Sequence, residues 1–214
     1  MIFFPLLLPV LFSVLALATN RLAFKMAVPL LSSVIVLLAG LTSVFGRTAT
    51  LSAGPLLLLV AALVLSACGD IFLSTKGERK DRFVIGIGLY FAAHLGYLGY
   101  GVATGSVSWI TLVALTAVLL PYYFLVLRPR IREAPLSVAV LLYLLVSCAA
   151  LAGAVGGEWS GPQRWLFLSA IALIVISDLF ISFKEFLDVH ITDVLILPTY
   201  YLAHLLIAAS ILVM

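Results

Sequence analysis

Charged residues are scarce in this sequence: Asp, Glu, Lys and Arg make up 10% of 214 residues, against 64% apolar ones. With a mean hydropathy of +1.29, that balance excludes a soluble globular domain, in which about a quarter of residues are charged. Cysteine is nearly absent. Cys68 and Cys148 have neither CxxC nor zinc-ligand spacing, and both fall inside apolar runs, so no structural disulfide and no zinc site are expected. The twelve Lys and Arg are dispersed along the chain rather than gathered on a face that could follow a backbone, which excludes a nucleic-acid partner. The start, Met1-Ile2-Phe3-Phe4-Pro5, lacks the positive n-region of a cleaved signal peptide and reads as a retained span.

What the chain has is apolar length. A helix of about twenty apolar residues crosses a bilayer, and breaks at charged or Gly/Pro-containing points divide the sequence into spans 2–19, 24–44, 54–74, 83–102, 106–127, 136–156, 163–183 and 192–213. The expected fold is an all-α polytopic membrane protein, a bundle of eight transmembrane helices forming one integral membrane domain over 1–214. The odd-numbered connections and their flanks carry Arg21, Lys25, Lys76, Arg79, Lys80, Arg82, Arg128, Arg130, Arg132 and Lys184; the even-numbered ones carry Arg47 and Arg164. By the positive-inside rule the odd connections face the cytoplasm and both termini lie on the other side, in the inner membrane if the cell is bacterial. The cluster from Arg128 to Arg132 is read as topogenic charge, with contact to anionic headgroups as the alternative.

One motif is spelled twice. Gly69-Asp70-Ile71-Phe72-Leu73-Ser74-Thr75-Lys76 returns as Ser177-Asp178-Leu179-Phe180-Ile181-Ser182-Phe183-Lys184, and Tyr90-Phe91-Ala92-Ala93-His94-Leu95 is echoed by Tyr200-Tyr201-Leu202-Ala203-His204-Leu205. The echoes suggest a parallel 4+4 internal repeat, with halves of about 1–105 and 106–214. Ionisable groups at bilayer depth are expensive and mark candidate functional sites. Counting from the expected helix ends, Asp70 and Asp178 lie about 6–7 Å inside the membrane and His94 and His204 about 17–18 Å. The carboxylates share a depth, and the histidines line a deeper part of the same cavity.

Ser66 and Ser74 flank Asp70 at i−4 and i+4 on one helix face, and Ser182 holds the place equivalent to Ser74. In the fourth span Gly86, Tyr90, His94 and Tyr97 share a face; in the eighth, Tyr200 or Tyr201 approaches the face of His204, beyond Pro198. Each of these residues also has a bland reading. Either aspartate alone could be a helix-end carboxylate satisfied by nearby donors, and either histidine a hydrogen-bonded core residue. Lys76 and Lys184 read as interfacial snorkelling residues. Lys25 is topogenic or a phosphate ligand. The histidines and aspartates make no zinc motif, since HExxH is absent and their depths differ.

The landmarks Lys25 with Pro29, Ser66-Ala67-Cys68-Gly69-Asp70, Gly88 through Tyr97, Ile176-Ser177-Asp178 and Tyr200 through His204 together resemble the YhhN-like family of membrane proteins, whose animal members include lysoplasmalogenases. The resemblance runs over nearly the whole chain. It implies a hydrolase acting on the vinyl-ether bond of a lysoplasmalogen, a lysophospholipid drawn from membrane lipid. The products would be a fatty aldehyde and glycerophosphoethanolamine or glycerophosphocholine, and no metal or organic cofactor is required. Such a bond is cleaved by protonating its β-carbon and adding water to the resulting oxocarbenium ion. A pair of neighbouring carboxylates sharing one proton suits that need. Asp178 is assigned the acid and Asp70 the base, the near-symmetry of the motifs leaving the reverse open. His94, His204 and Tyr201 would position water, with Ser66, Ser74, Tyr90 and Ser182 in support, and Lys25 would meet the lipid phosphate.

Two other classes compete. An intramembrane aspartic protease also needs two embedded aspartates, but Ala67-Cys68-Gly69-Asp70 lacks a Gly-x-Gly-Asp pattern. A proton-coupled small transporter would use repeats carrying embedded acids and histidines. Nothing in the sequence addresses the oligomeric state.

Overall fold

Inside a bilayer no water satisfies the peptide groups, so an apolar run closes its hydrogen bonds within itself as a helix. The computed structural model describes residues 2–45, 53–75, 80–159 and 161–214, without the side chains of 43–45 and 80. Among the described residues it contains eight α-helices and no sheet: α1 Leu7–Thr19, α2 Leu22–Phe45, α3 Ala53–Ser74, α4 Lys80–Ala103, α5 Trp109–Tyr122, α6 Ala134–Gly156, α7 Gly161–Leu187 and α8 Asp193–Leu212. Seven of them, α2 to α8 (α5 and α8 with their short 3₁₀ or π extensions), are long and apolar enough to cross a membrane, while the first apolar helix, Phe4–Thr19, is shorter. The chain is a multi-pass integral membrane protein. Arg47, Lys76 and Arg79, read above as topogenic, lie outside the described residues.

Local chemistry explains the boundaries. Asn20 ends α1 in the left-handed region at φ 55°, a conformation that Asn tolerates better than most residues. Ser108 caps α5 by accepting from the Thr111 N–H. Pro121 removes one amide from the ladder of α5, and the helix continues as a π turn over Tyr123–Leu127. Helix α7 runs four residues past the expected end of its span at 183, because Lys184 and Glu185 end the apolar run without ending the helix. It stops where Asp188 turns to φ 58°.

Helices α2, α3, α4, α6, α7 and α8 pack each on the next and α8 back on α2, a closed ring of six. Helix α1 lies outside the ring against α2 and α8, and α5 lies outside against α6. Moving four helices along the chain maps α2, α3 and α4 onto α6, α7 and α8 in the same cyclic order. At the end formed by the even-numbered connections, Gly105 and Gly157 bridge the α4–α5 and α6–α7 turns. Beneath them Tyr100, Trp159 and Phe167 pack ring against ring, with centroids 4.7–5.9 Å apart. Below this cluster the apolar residues of the ring fill its interior. Among the described residues, the opposite, basic end holds a cavity.

Lipid tails are as apolar as leucine, so these helices are held by close packing and internal hydrogen bonds. Small residues permit the approach. A Cβ placed on Gly101 of α4 would lie 2.8 Å from the Gly153 carbonyl carbon and oxygen of α6, whereas one on Gly88 would meet nothing within 4 Å. Backbone cannot yield as a flexible side chain can. Gly101→Val is therefore expected to destabilise the detergent-solubilised protein by about 2 kcal/mol or more, and Gly88→Ala to leave its thermal midpoint unchanged. Equal midpoints for the two variants would contradict the α4–α6 contact.

Candidate functional site

At the basic end the ring encloses a cavity of about 400 Å³, lined among others by Lys25 of α2, Asp70 and Ser74 of α3, Tyr90 of α4, Asp178 of α7 and Tyr200 of α8. Both duplicated aspartates thus border one space. Five residues of its wall (Leu73, Phe83, Tyr90, Asp178 and Ile181) also line a second, mostly apolar pocket of about 60 Å³, completed by Tyr143 and its neighbours on α6 and by Phe186. A polar chamber and an apolar one therefore meet at Tyr90 and Asp178.

Asp70 is buried at 8% exposure and accepts on both oxygens. The Tyr90 hydroxyl donates to Oδ1, and the Tyr200 hydroxyl donates to Oδ2 at 3.1 Å. Gly69 makes room for the first of these bonds, since a Cβ there would lie 2.8 Å from the Tyr90 ring. The Lys25 ammonium is within Coulombic range of Asp70. Two donors and a nearby cation match the acceptor-only chemistry of a carboxylate.

Asp178 has different company. His94 Nε2 lies 3.1 Å from Asp178 Oδ2; this is charge contact, without the alignment of a hydrogen bond. Tyr143 of α6 is a side-chain partner of the same carboxylate, and its ring packs edge-on to His94 with centroids 5.0 Å apart. His94 Nδ1 sits 2.9 Å from the Tyr90 carbonyl oxygen, which can only accept, so the network assigns a hydrogen to Nδ1. In the neutral ring Nε2 would then turn a lone pair towards a carboxylate oxygen.

The depth reading separated His94 from the aspartates, and the structure corrects it. The side chains of α4 lean back towards their own N-terminus, which is the basic end, and this brings the His94 ring towards Asp178. Helix ends contribute little: α7 ends four residues beyond its expected span and α4 begins three residues before its own, so both residues move deeper by nearly the same amount. His204 repeats the backbone bond of His94, with Nδ1 2.8 Å from the Tyr200 carbonyl oxygen, but it is fully buried and lies off the cavity wall. Tyr201 is also buried off the wall, its hydroxyl without a partner among the described residues. Tyr200 occupies the place expected of Tyr201.

Ser66 stands behind the site, 3.2 Å from the Tyr97 hydroxyl. Ser182 borders the apolar pocket and bonds the Tyr122 hydroxyl at 2.8 Å. Lys184, read as a snorkelling residue, lies on the cavity wall paired with Asp193 at 2.9 Å. Tyr200 could have been found by aligning the two Tyr-x-x-x-His echoes, in which it matches Tyr90. Tyr143 carries no such signal, because a single tyrosine in an apolar run declares no partner. Among the described residues no group of three or more His, Cys, Asp or Glu is placed to hold a metal ion.

The model of the YhhN family matches residues 20–211, most of the chain, and the chain belongs to that family. Comparison with curated proteins and with solved structures gives no match.

The two tyrosines at Asp70 can be told apart from Tyr201 by double-mutant cycles on unfolding in detergent. Tyr90→Phe and Tyr200→Phe are each expected to couple to Asp70→Asn by about 1 kcal/mol or more, as bonds to a charged group do. Tyr201→Phe should couple by less than about 0.5 kcal/mol. A Tyr201 coupling as large as that of Tyr200 would contradict the arrangement.

Proposed function

We propose that this member of the YhhN family is a lysoplasmalogenase-like hydrolase of the inner membrane, cleaving the vinyl-ether bond of a lysoplasmalogen with Asp178 as acid and Asp70 as base. One observation carries the reading: two carboxylates of unlike surroundings border one cavity, at the point where a polar chamber meets an apolar pocket. The alkenyl chain would enter the apolar side and the glycerophosphate head the polar side, next to Lys25. The vinyl ether, the link between the two, would then lie beside Tyr90 and Asp178.

The chemistry then divides by surroundings. Asp178 delivers its proton to the β-carbon of the vinyl ether, and the π electrons form the new C–H bond. The adjacent carbon and the ether oxygen become an oxocarbenium ion. Asp70, oriented by Tyr90 and Tyr200, stabilises that cation and accepts a proton from the water that adds to its carbon. The hemiacetal so formed loses its glyceryl oxygen as an alcohol. The hemiacetal hydroxyl proton passes to that departing oxygen as the C–O bond breaks and the aldehyde forms, and the proton on Asp70 returns to Asp178 through water. Protons and electrons balance with one water consumed. Positioned acid–base groups of this kind contribute about 100- to 10,000-fold in rate.

The test is aldehyde release by the purified protein from ethanolamine and choline lysoplasmalogens, with an ester lysolipid as control. Wild type is expected to release aldehyde from the vinyl ethers and to spare the ester. Asp178→Asn and Asp70→Asn should each lower kcat by about a hundredfold or more, and His94→Gln should lower it in the same direction. A folded double Asn variant with normal turnover would refute the acid–base assignment. A wild type that releases nothing but moves solute in sealed vesicles would favour a transporter.

A further inference from the structure

Where α5 passes into its π turn, successive tyrosines point to different helices. Tyr123 bonds α6: its hydroxyl lies 2.8 Å from the Ser137 carbonyl oxygen and 2.6 Å from the Ser137 hydroxyl. Tyr122 reaches α7 instead. Its hydroxyl lies 2.8 Å from Ser182 Oγ, and its ring stands edge-on to Phe183 with centroids 6.0 Å apart. The single hydroxyl hydrogen of Ser182 goes to the Leu179 carbonyl oxygen at 2.8 Å, so Tyr122 is the donor of the bond to α7. The turn thus straps α6 to α7 from outside the ring, and Phe124 and Leu125 beside it expose apolar side chains. The strap spans the joint where the ring is least knit, since α6 and α7 touch less extensively than any other neighbouring pair of the six.

The apolar pocket lies behind that joint. Val140, Tyr143 and Leu144 line it from α6, and Asp178, Ile181 and Ser182 from α7. Phe83 and Phe186, edge to face at 6.2 Å, stand at its basic end. With a volume of about 60 Å³, the pocket takes a few methylene groups of a lipid chain but not its length. The rest of a bound chain has to leave between helices. Helix α4 packs extensively on both α3 and α6, which leaves the α6–α7 joint as the way into the bilayer. Entry from the side also keeps the chain in hydrocarbon, whereas threading it through the polar chamber would expose each methylene to water. On these grounds, and resting on the reading above that the pocket takes a lipid chain, we propose that the α6–α7 seam is a lateral portal for the hydrocarbon chain of a single-chain lipid, latched by the Tyr122–Ser182 hydrogen bond. A chain lying in the seam parts Tyr122 from Ser182, while Tyr123 keeps the strap on α6. Chain binding and latch closure therefore exclude one another.

The probe is a saturated alkyl-ether lysophosphoethanolamine with a photoreactive diazirine in its chain, held at a subsaturating level in bilayers containing the purified protein. Its adducts are located by mass spectrometry and scaled to those on Leu142, which is 49% exposed on α6 and meets lipid whether or not the seam opens. Wild type is expected to be labelled at Leu144 and Ile181, on the two sides of the seam. Tyr122→Phe and Ser182→Ala each remove the latch, and each should raise that labelling about threefold or more, the yield of one hydrogen bond lost from the closed state. Tyr123→Phe removes a bond of the same turn without touching the seam, and should leave the labelling unchanged. Absence of wild-type adducts from both Leu144 and Ile181 would overturn the portal, a result that requires no variant to fold. Latch variants labelled no more than wild type would overturn the latch, and so would an equal rise in Tyr123→Phe, which would report general loosening. The probe has no vinyl bond, so its adducts do not depend on hydrolysis. Pocket labelling that rises in the latch variants, without aldehyde release from a lysoplasmalogen, would leave the portal standing and remove the hydrolase reading; aldehyde release without pocket labelling would do the reverse.

Discussion

Two tyrosine hydroxyls from different helices hold one buried carboxylate. Asp70 sits at 8% exposure in a helix otherwise made to face lipid and its neighbours, and an unpaired charge there would cost several kcal/mol. Tyr90 and Tyr200 meet that need from α4 and α8, so one side chain ties three helices of the ring together. Gly69 belongs to the same device, because only a residue without a Cβ leaves space for the Tyr90 ring. The shape of the cavity follows from this knot: α3 and α7 are kept on opposite walls, with Asp178 across the space from Asp70.

Tyr90 also connects the two acids. Its hydroxyl serves Asp70, and its carbonyl oxygen fixes the His94 ring that faces Asp178. A single helical turn thereby puts a donor on one carboxylate and an imidazole against the other. Nearly identical motifs end up with unlike surroundings. The aromatic cluster of Tyr100, Trp159 and Phe167 packs the far end, and the cavity lies at the basic end.

Much of the fold was legible in the sequence. Hydropathy gave eight helices whose ends fall within a few residues of those observed, because a bilayer leaves a backbone no alternative to closing its own hydrogen bonds. The exceptions have local causes. Charge at Lys184 and Glu185 ended the apolar run but not α7, and Pro121 shortened α5 into a π turn. The candidate residues were legible as types: Asp70, Asp178, Tyr90, His94 and Lys25 stand out because ionisable and aromatic-hydroxyl groups are conspicuous in an apolar chain. Depth counted along single helices misjudged His94, since it leaves out which way side chains lean.

By itself the amino-acid sequence determined that this chain is a multi-pass helical membrane protein with duplicated acidic and histidine motifs, because length and periodicity are properties of each segment alone. The tertiary structure decided which members of those motifs meet. It put Tyr200 rather than Tyr201 on Asp70, His94 rather than His204 against a carboxylate, and Tyr143 beside Asp178 from a helix with no motif of its own. Those choices depend on the rotation and cyclic order of helices around a shared cavity. Rotation is set by packing between segments, at contacts such as Gly101 on Gly153, and no single segment contains that information.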